Sequence, residues 1–309
     1  MQRPGHRLGG FLTVMEVEGV RHRARLREDG VPQGTVRRWL RKGVMSSEQP
    51  WYITEAAPPG IAPVLRLGVR PTCLDGASLH GLWTPPHPGA HVFRPRQLHA
   101  GEELRGARVH PVRRRSGTVI TLAEEELVLH GPALRSWPDH DPVPDLALVL
   151  THAAHCLPVE KTAVLFESGL QRGLLTRREA QRILASLPQR IRRPLSRVRE
   201  DAESGTETIV RWWMESRRFP VRPQVLFPDG RRRMDLLVGK SWVIECDSRE
   251  FHDDPLSYDV DRARDLYLAS RGYRVTRLSW EQVFLRWEET QAMMLAILRR
   301  GEHLDPPGR

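Results

Sequence analysis

Met234-Asp235-Leu236-Leu237-Val238, then Gly239-Lys240-Ser241, then Trp242-Val243-Ile244-Glu245-Cys246-Asp247, reads as two strands joined by a tight turn. Each strand carries an acid among residues that otherwise favour burial, which is costly unless a cation or a donor compensates it. Register decides whether the two acids meet. A two-residue loop, Gly239-Lys240, would pair Asp235 with Ile244 and send the two carboxylates to opposite faces. A three-residue loop, Gly239-Lys240-Ser241, pairs Asp235 with Glu245 on one face and is a common hairpin type.

Outward from this hairpin the pattern predicts a helix over 201–217 carrying Glu207, whose row continues at Val210 and Met214, and a strand at Gln224–Phe227. Downstream come an acidic loop with His252, Asp253 and Asp254, a helix from Asp261 that stops at Gly272, and a strand at Tyr273–Leu278. Ser279-Trp280-Glu281-Gln282 is a capping box opening a last helix to about Arg300. Helix, three strands, helix, strand, helix describes an α/β layer domain over 201–309. Glu207, Asp235 and Glu245 are its candidate metal ligands. Converging carboxylates bind Mg²⁺ or Mn²⁺, hard cations that lower the pKa of a bound water and neutralise phosphate charge.

The remaining 200 residues carry the charge. The chain of 309 residues has 48 Lys and Arg against 38 Asp and Glu, a net charge of +10. Residues 1–200 hold +11 and residues 201–309 hold −1. Forty-five of the 48 cations are arginine, a bias that GC-rich coding also produces, so charge alone does not decide for a polyanionic partner. Position is more telling. In 1–57, Val20–Glu28 reads as a helix, Gly30-Val31-Pro32-Gln33-Gly34 as a turn, and Val36, Trp39 and Leu40 as the dry stripe of a second helix ended by Gly43. Arg37, Arg38, Arg41 and Lys42 occupy its other face, and Ser46–Pro50 as a turn with Trp51–Thr54 as a strand would form a wing. A helix dry on one side and cationic on the other can enter a major groove; a solvated surface helix has the same pattern.

Residues 58–200 read as a mixed α+β middle domain, with strands at His91–Phe93 and Ala107–Val112 and helices at Asp145–Cys156, Glu160–Arg172 and Thr176–Ser186. His152-x-x-His155-Cys156 has the helical spacing of metal ligands, but no third or fourth ligand stands nearby, and ordinary surface histidines are the simpler reading. No apolar run approaches membrane-span length, and three scattered cysteines fit a reducing cytoplasm. No C-x-x-C, P-loop, G-x-S-x-G or H-E-x-x-H pattern occurs.

Ser204-Gly205-Thr206-Glu207, Gln224-Val225, Met234-Asp235-Leu236, Val243–Ser248 with Phe251-His252, Asp261–Leu268 and Gly272–Arg277, taken in order, resemble the very-short-patch-repair-like branch of the restriction-endonuclease-like PD-(D/E)XK superfamily. The resemblance covers the last third of the chain. The front two thirds resemble the winged-helix and middle regions of abortive-infection antitoxin-like proteins of actinobacteria, best in Thr72-x-x-Asp75-Gly76-Ala77-Ser78-Leu79-His80-Gly81-Leu82. The first resemblance implies Asp235 and Glu245 as metal ligands, Glu207 as a supporting acid, Asp247 and His252 as further catalytic members, and Arg264 as a phosphate contact. It departs from the superfamily at its lysine, which is Asp247 here, and Ser248 stands where a glycine is usual.

The expectation is therefore an α/β multidomain protein: a winged helix-turn-helix in 1–57, a mixed α+β domain in 58–200 and a restriction-endonuclease-like α/β domain in 201–309. Its expected function is Mg²⁺-dependent or Mn²⁺-dependent hydrolysis of DNA phosphodiesters. The alternative is an antitoxin-like DNA-binding regulator whose nuclease-like domain is inactive. DNA is the expected partner and a membrane is not; a toxin or methylase partner is left open.

Overall fold

A computed structural model describes residues 17–93, 108–110, 117–122, 125–130, 140–230, 232–247 and 255–307. It is a mixed α/β structure with three small sheets and no barrel. The chain divides into two compact units, the first Met1–Gly81 with Pro88–Cys156, the second Leu82–His87 with Leu157–Arg309. The division falls inside the stretch 58–200, so the three helices that follow Cys156 belong with the C-terminal α/β layers. Among the described residues, no helix is long and apolar enough to cross a membrane.

The first unit opens with β1 (Val20–His22), α1 (Arg23–Glu28), α2 (Gln33–Arg41), β2 (Ser46–Glu48) and β3 (Trp51–Ile53), the strands lying in the order β1-β3-β2. Two expectations are corrected here. Val20–His22 is a strand, because it pairs antiparallel with β3 and its last residue turns the chain into α1 by accepting the Ala24 amide on the His22 imidazole at 3.2 Å. Ser46–Glu48 is also strand, with only Gln49 and Pro50 left to turn the hairpin into β3. α2 follows the expected pattern: Val36 is buried, Trp39 and Leu40 are half-buried, and Arg37, Arg38, Arg41 and Lys42 are exposed. Gly43, at φ +68°, ends it; its amide bonds to Leu40 and the Val44 amide to Trp39, the paired closure that a left-handed residue permits.

Next come α3 (Ile61–Arg66), β4 (Arg70–Pro71), α4 (Cys73–Leu79), β5 (Ala90–Phe93), β6 (Arg108–His110), β7 (Gly117–Leu122), β8 (Glu125–His130) and α5 (Leu146–Cys156). The strands form a five-stranded sheet in the order β4-β5-β8-β7-β6. The β7–β8 hairpin was not anticipated. The expected strand Ala107–Val112 is described as strand only at Arg108–His110.

The second unit contains α6 (Val159–Gln171), α7 (Arg177–Ser186), α8 (Gln189–Leu195), α9 (Gly205–Ser216), β9 (Val221–Leu226), β10 (Arg233–Val238), β11 (Trp242–Cys246), α10 (Pro255–Ser270), β12 (Arg274–Leu278), α11 (Trp280–Phe284) and α12 (Trp287–Arg299). Its sheet runs β12-β11-β10-β9, with β11 and β12 parallel and the other pairs antiparallel. Leu236, Val238, Trp242, Ile244 and Cys246 face Ile209, Val210, Met214, Met294 and Leu298 on one side. Leu237 and Val243 face Leu268 on the other, so the sheet is covered twice and its central strands are apolar apart from their acids and the exposed Arg233 at the start of β10.

Helix boundaries moved where side chains compete for backbone groups. α9 starts at Gly205, not Asp201, because the Ser204 hydroxyl accepts the Glu207 amide at 3.1 Å. The predicted capping box at Ser279 and Gln282 is present, yet it opens a five-residue helix. The chain breaks at Leu285 and Arg286, and the Thr290 hydroxyl donates to the carbonyls of Gln282 and Arg286, stabilising the break.

One buried carboxylate ties α6 to α9. Glu167, fully buried on α6, accepts from the Arg199 amide at 3.1 Å, the Trp212 indole at 3.2 Å and the Thr208 hydroxyl at 2.8 Å, and pairs with the buried Arg211 guanidinium. Removing one partner of a buried ion pair leaves the other uncompensated. Glu167→Ala is expected to destabilise the second unit by about 3–5 kcal/mol in chemical denaturation, whereas Glu179→Ala in the exposed cap of α7 should cost about 1 kcal/mol.

Candidate functional sites

The hairpin register is Val238 opposite Trp242, Leu237 opposite Val243 and Leu236 opposite Ile244, which leaves Gly239-Lys240-Ser241 as a three-residue loop. Continued one step, it sets Asp235 opposite Glu245. Gly239 has φ +63° and lies against the His303 carbonyl with no room for a side chain. Glu207 comes from the first turn of α9, Asp235 from β10 and Glu245 from β11.

The three carboxyls share an electrostatic neighbourhood. Burial raises the Glu207 carboxyl well above the usual range and the Asp235 charge adds to it, against hydrogen bonds from Gln224 at 2.8 Å and the Glu203 amide at 3.1 Å. Burial also raises Asp235, although the Cys246 amide donates to it at 2.8 Å and Arg264 attracts it. Glu245 is pushed up to about 8, chiefly by burial and then by Asp235, which together outweigh the pull of Arg264 and Arg277. Arg264, from α10, meets Glu245 Oε2 at 2.8 Å and also donates to the Arg233 carbonyl. Glu245 Oε1 is buried without a hydrogen-bond partner among the described residues.

Of the other expected members, Asp247 follows β11 and lies 3.4 Å from Arg277, which is itself held by both oxygens of Asp265 at 3.0 Å. His252 lies outside the described residues. Arg37, Arg38, Arg41 and Lys42 are in the first unit, on the exposed face of α2. Glu203, Gln224, Arg277 and Asp265, which sequence reading did not single out, contribute to the charge and hydrogen bonding around the acids; only their placement by the fold reveals them.

A second, chemically different group lies in the first unit. Cys73, His91, His130 and Cys156 bring one ligand atom each within 4.8 Å of one another, and this cluster could hold a metal ion. Cys73 opens α4, Cys156 closes α5, and His91 and His130 stand on the neighbouring parallel strands β5 and β8. His91 pairs with Val128 and Phe93 with His130, so the two imidazoles are diagonal neighbours on one face, His91 Nδ1 3.2 Å from His130 Nε2. Cys156 Sγ is 3.8 Å from His91 Nδ1. Burial raises the Cys73 thiol; the hydrogen bond from Cys73, followed by those from His130 and His91, drives Cys156 far below an ordinary thiol.

Sequence reading found one of these four, Cys156, through His152-x-x-His155-Cys156. His152 is buried, contrary to the surface reading, with its ring 5.3 Å from that of His130 and its Nδ1 2.8 Å from the Thr72 hydroxyl. It stands beside the cluster, and neither it nor His155 belongs to the four. The missing ligands were 26, 65 and 83 residues away along the chain, at His130, His91 and Cys73, and no local spacing connects them.

No protein-family model matches the chain, and no curated protein matches it significantly.

The carboxylate geometry has a consequence for stability. In the unfolded chain Glu245 ionises near its ordinary value of 4.5, while in the fold it holds its proton to about 8. Between these values the folded state binds the extra proton, so stability is highest below about pH 4.5 on this account and falls as the pH rises to about 8. In metal-free protein, denaturation between pH 5 and pH 8 should show this decline, and Glu245→Gln should reduce its slope, the raised Glu207 and Asp235 carboxyls contributing the remainder.

Proposed function

We propose that the second unit hydrolyses phosphodiester bonds of DNA with Mg²⁺ or Mn²⁺ bound at Asp235 and Glu245, Glu207 supporting, and that α2 of the first unit contributes DNA contacts. The observation carrying this reading is Glu245 Oε1, a buried carboxylate oxygen without a hydrogen-bond partner among the described residues, in a group of three acids whose carboxyls all favour protonation. A hard divalent cation supplies the missing compensation and prefers oxygen donors. Such a cation would activate water and offset phosphate charge. Arg264 stands beside Glu245 and would contact a phosphate oxygen, and Asp247 and His252 complete the proposed catalytic group. Water adds to phosphorus, one P–O ester bond breaks, and a phosphate end and a hydroxyl end result.

Supercoiled, linear and mismatched duplexes incubated with the full chain and Mg²⁺ or Mn²⁺ test this reading. Cleavage is expected, abolished by chelation and reduced by about two orders of magnitude or more in Asp235→Asn. Intact DNA with the wild-type chain under every one of these conditions overturns it.

A specific contact favours the second reading, an antitoxin-like DNA-binding regulator without nuclease activity. The Arg264 guanidinium already neutralises Glu245 Oε2 from within the protein, where a cation would otherwise act. In that case duplex binding persists in Asp235→Asn and no cleavage accompanies it. Both readings use the exposed cations of α2. Arg37→Ala with Arg41→Ala should weaken duplex binding and reduce the slope of log K against log salt by about 2, as expected for two lost phosphate contacts. An unchanged slope removes α2 from the interface.

A further inference from the structure

We propose that Cys73, His91, His130 and Cys156 bind one Zn²⁺ in a closed tetrahedral site that joins α4 and α5 to the β5–β8 strand pair. The donor set is two sulfurs and two imidazole nitrogens, which suits zinc and does not suit the hard cations of the carboxylate group.

Geometry supports the assignment. With Zn–N of about 2.0–2.1 Å and Zn–S of about 2.3 Å, tetrahedral edges are about 3.3 Å between nitrogens and about 3.6 Å between nitrogen and sulfur. The corresponding separations are 3.2 Å for His91 Nδ1 to His130 Nε2 and 3.8 Å for His91 Nδ1 to Cys156 Sγ. All four ligand atoms lie within 4.8 Å of one another. One ion at their centre fits these two edges to about 0.2 Å.

The surroundings are also arranged for ligation. Cys73 has φ +51°, a left-handed conformation uncommon for cysteine, and it puts this residue at the start of α4 directly beside the strand bearing His91. The Thr72 amide donates to the His91 carbonyl at 2.8 Å, and Asp75 accepts the His91 amide at 2.6 Å, so the helix start and the strand are fastened together on both sides of the ligands. The His152 ring stacks on that of His130 and orients it. Cys73, His91 and His130 are buried and Cys156 is half-buried. Four protein ligands in an enclosed position leave no open coordination site for substrate, which makes the ion structural and not catalytic.

The role is mechanical. The ion would link β5 and β8 to one end of each helix, so that its binding energy adds to that of folding.

Metal analysis of the full chain, purified under reducing conditions, tests the proposal. About one zinc per chain is expected to remain through gel filtration, and cobalt substitution should give the ligand-field bands of a tetrahedral site with thiolate ligands. Cys156→Ser and His130→Ala should lose the zinc. His130→Cys, which retains a ligand, should keep it and guards against loss caused only by misfolding. Chelation of the wild-type chain should lower its thermal midpoint, and zinc should restore it. Asp235→Asn should keep its zinc, so absence of DNA cleavage has no bearing on this site. The proposal is overturned if the wild-type chain neither carries nor takes up zinc, if folded Cys156→Ser retains it in full, or if Cys73 and Cys156 are found joined as a disulfide in the purified chain.

Discussion

The second unit depends on the carboxylate of Glu167. Buried on α6, it receives donors from Arg199, Thr208, Arg211 and Trp212, three of them on α9. A charge in that position is tolerable because both its oxygens are engaged, and engaging them fixes the rotation and the height of α9. With α9 so fixed, Ser204 caps its first turn and Glu207 is delivered toward Asp235. The candidate acid Glu207 therefore inherits its place from a structural acid of the same chemistry. Glu167 is stabilised by dedicated donors; the Asp235 charge raises both Glu207 and Glu245, and one Glu245 oxygen has no donor among the described residues. That contrast, not acidity as such, separates a structural carboxylate from a candidate site.

The two units offer two different kinds of electrostatic environment. Around the hairpin, carboxylate oxygens gather on a twice-covered sheet, and the guanidinium of Arg264 pairs with one of them. In the first unit, sulfur and imidazole meet at the ends of helices and strands. There a lowered thiol faces two histidines. The two donor sets differ in softness, oxygen in one unit and sulfur with nitrogen in the other, so they rank metal ions differently.

Local patterns were legible wherever neighbouring residues supply the physics. The stripe Val36, Trp39, Leu40 and the left-handed stop at Gly43 define α2, and its cations are exposed as that pattern requires. The capping box at Ser279 was readable because its partners lie three residues apart. Short strands were less legible. Val20–His22 looks helical in isolation and becomes strand only because β3 lies beside it. The break at Leu285 and Arg286 likewise depends on Thr290 reaching back to two carbonyls.

From the sequence alone came the alternation of strands and helices after residue 201, the anomaly of acids in apolar strands, and the cationic face of α2, because each follows from spacing along a single element. Only tertiary structure chose the three-residue loop and hence the common face of Asp235 and Glu245, since turn length is settled by how the strands pair and by the His303 carbonyl against Gly239. It alone assembled Cys73, His91, His130 and Cys156. Their proximity arises from parallel pairing of β5 with β8 and from the ends of α4 and α5, contacts between residues far apart in the chain for which no periodicity leaves a trace.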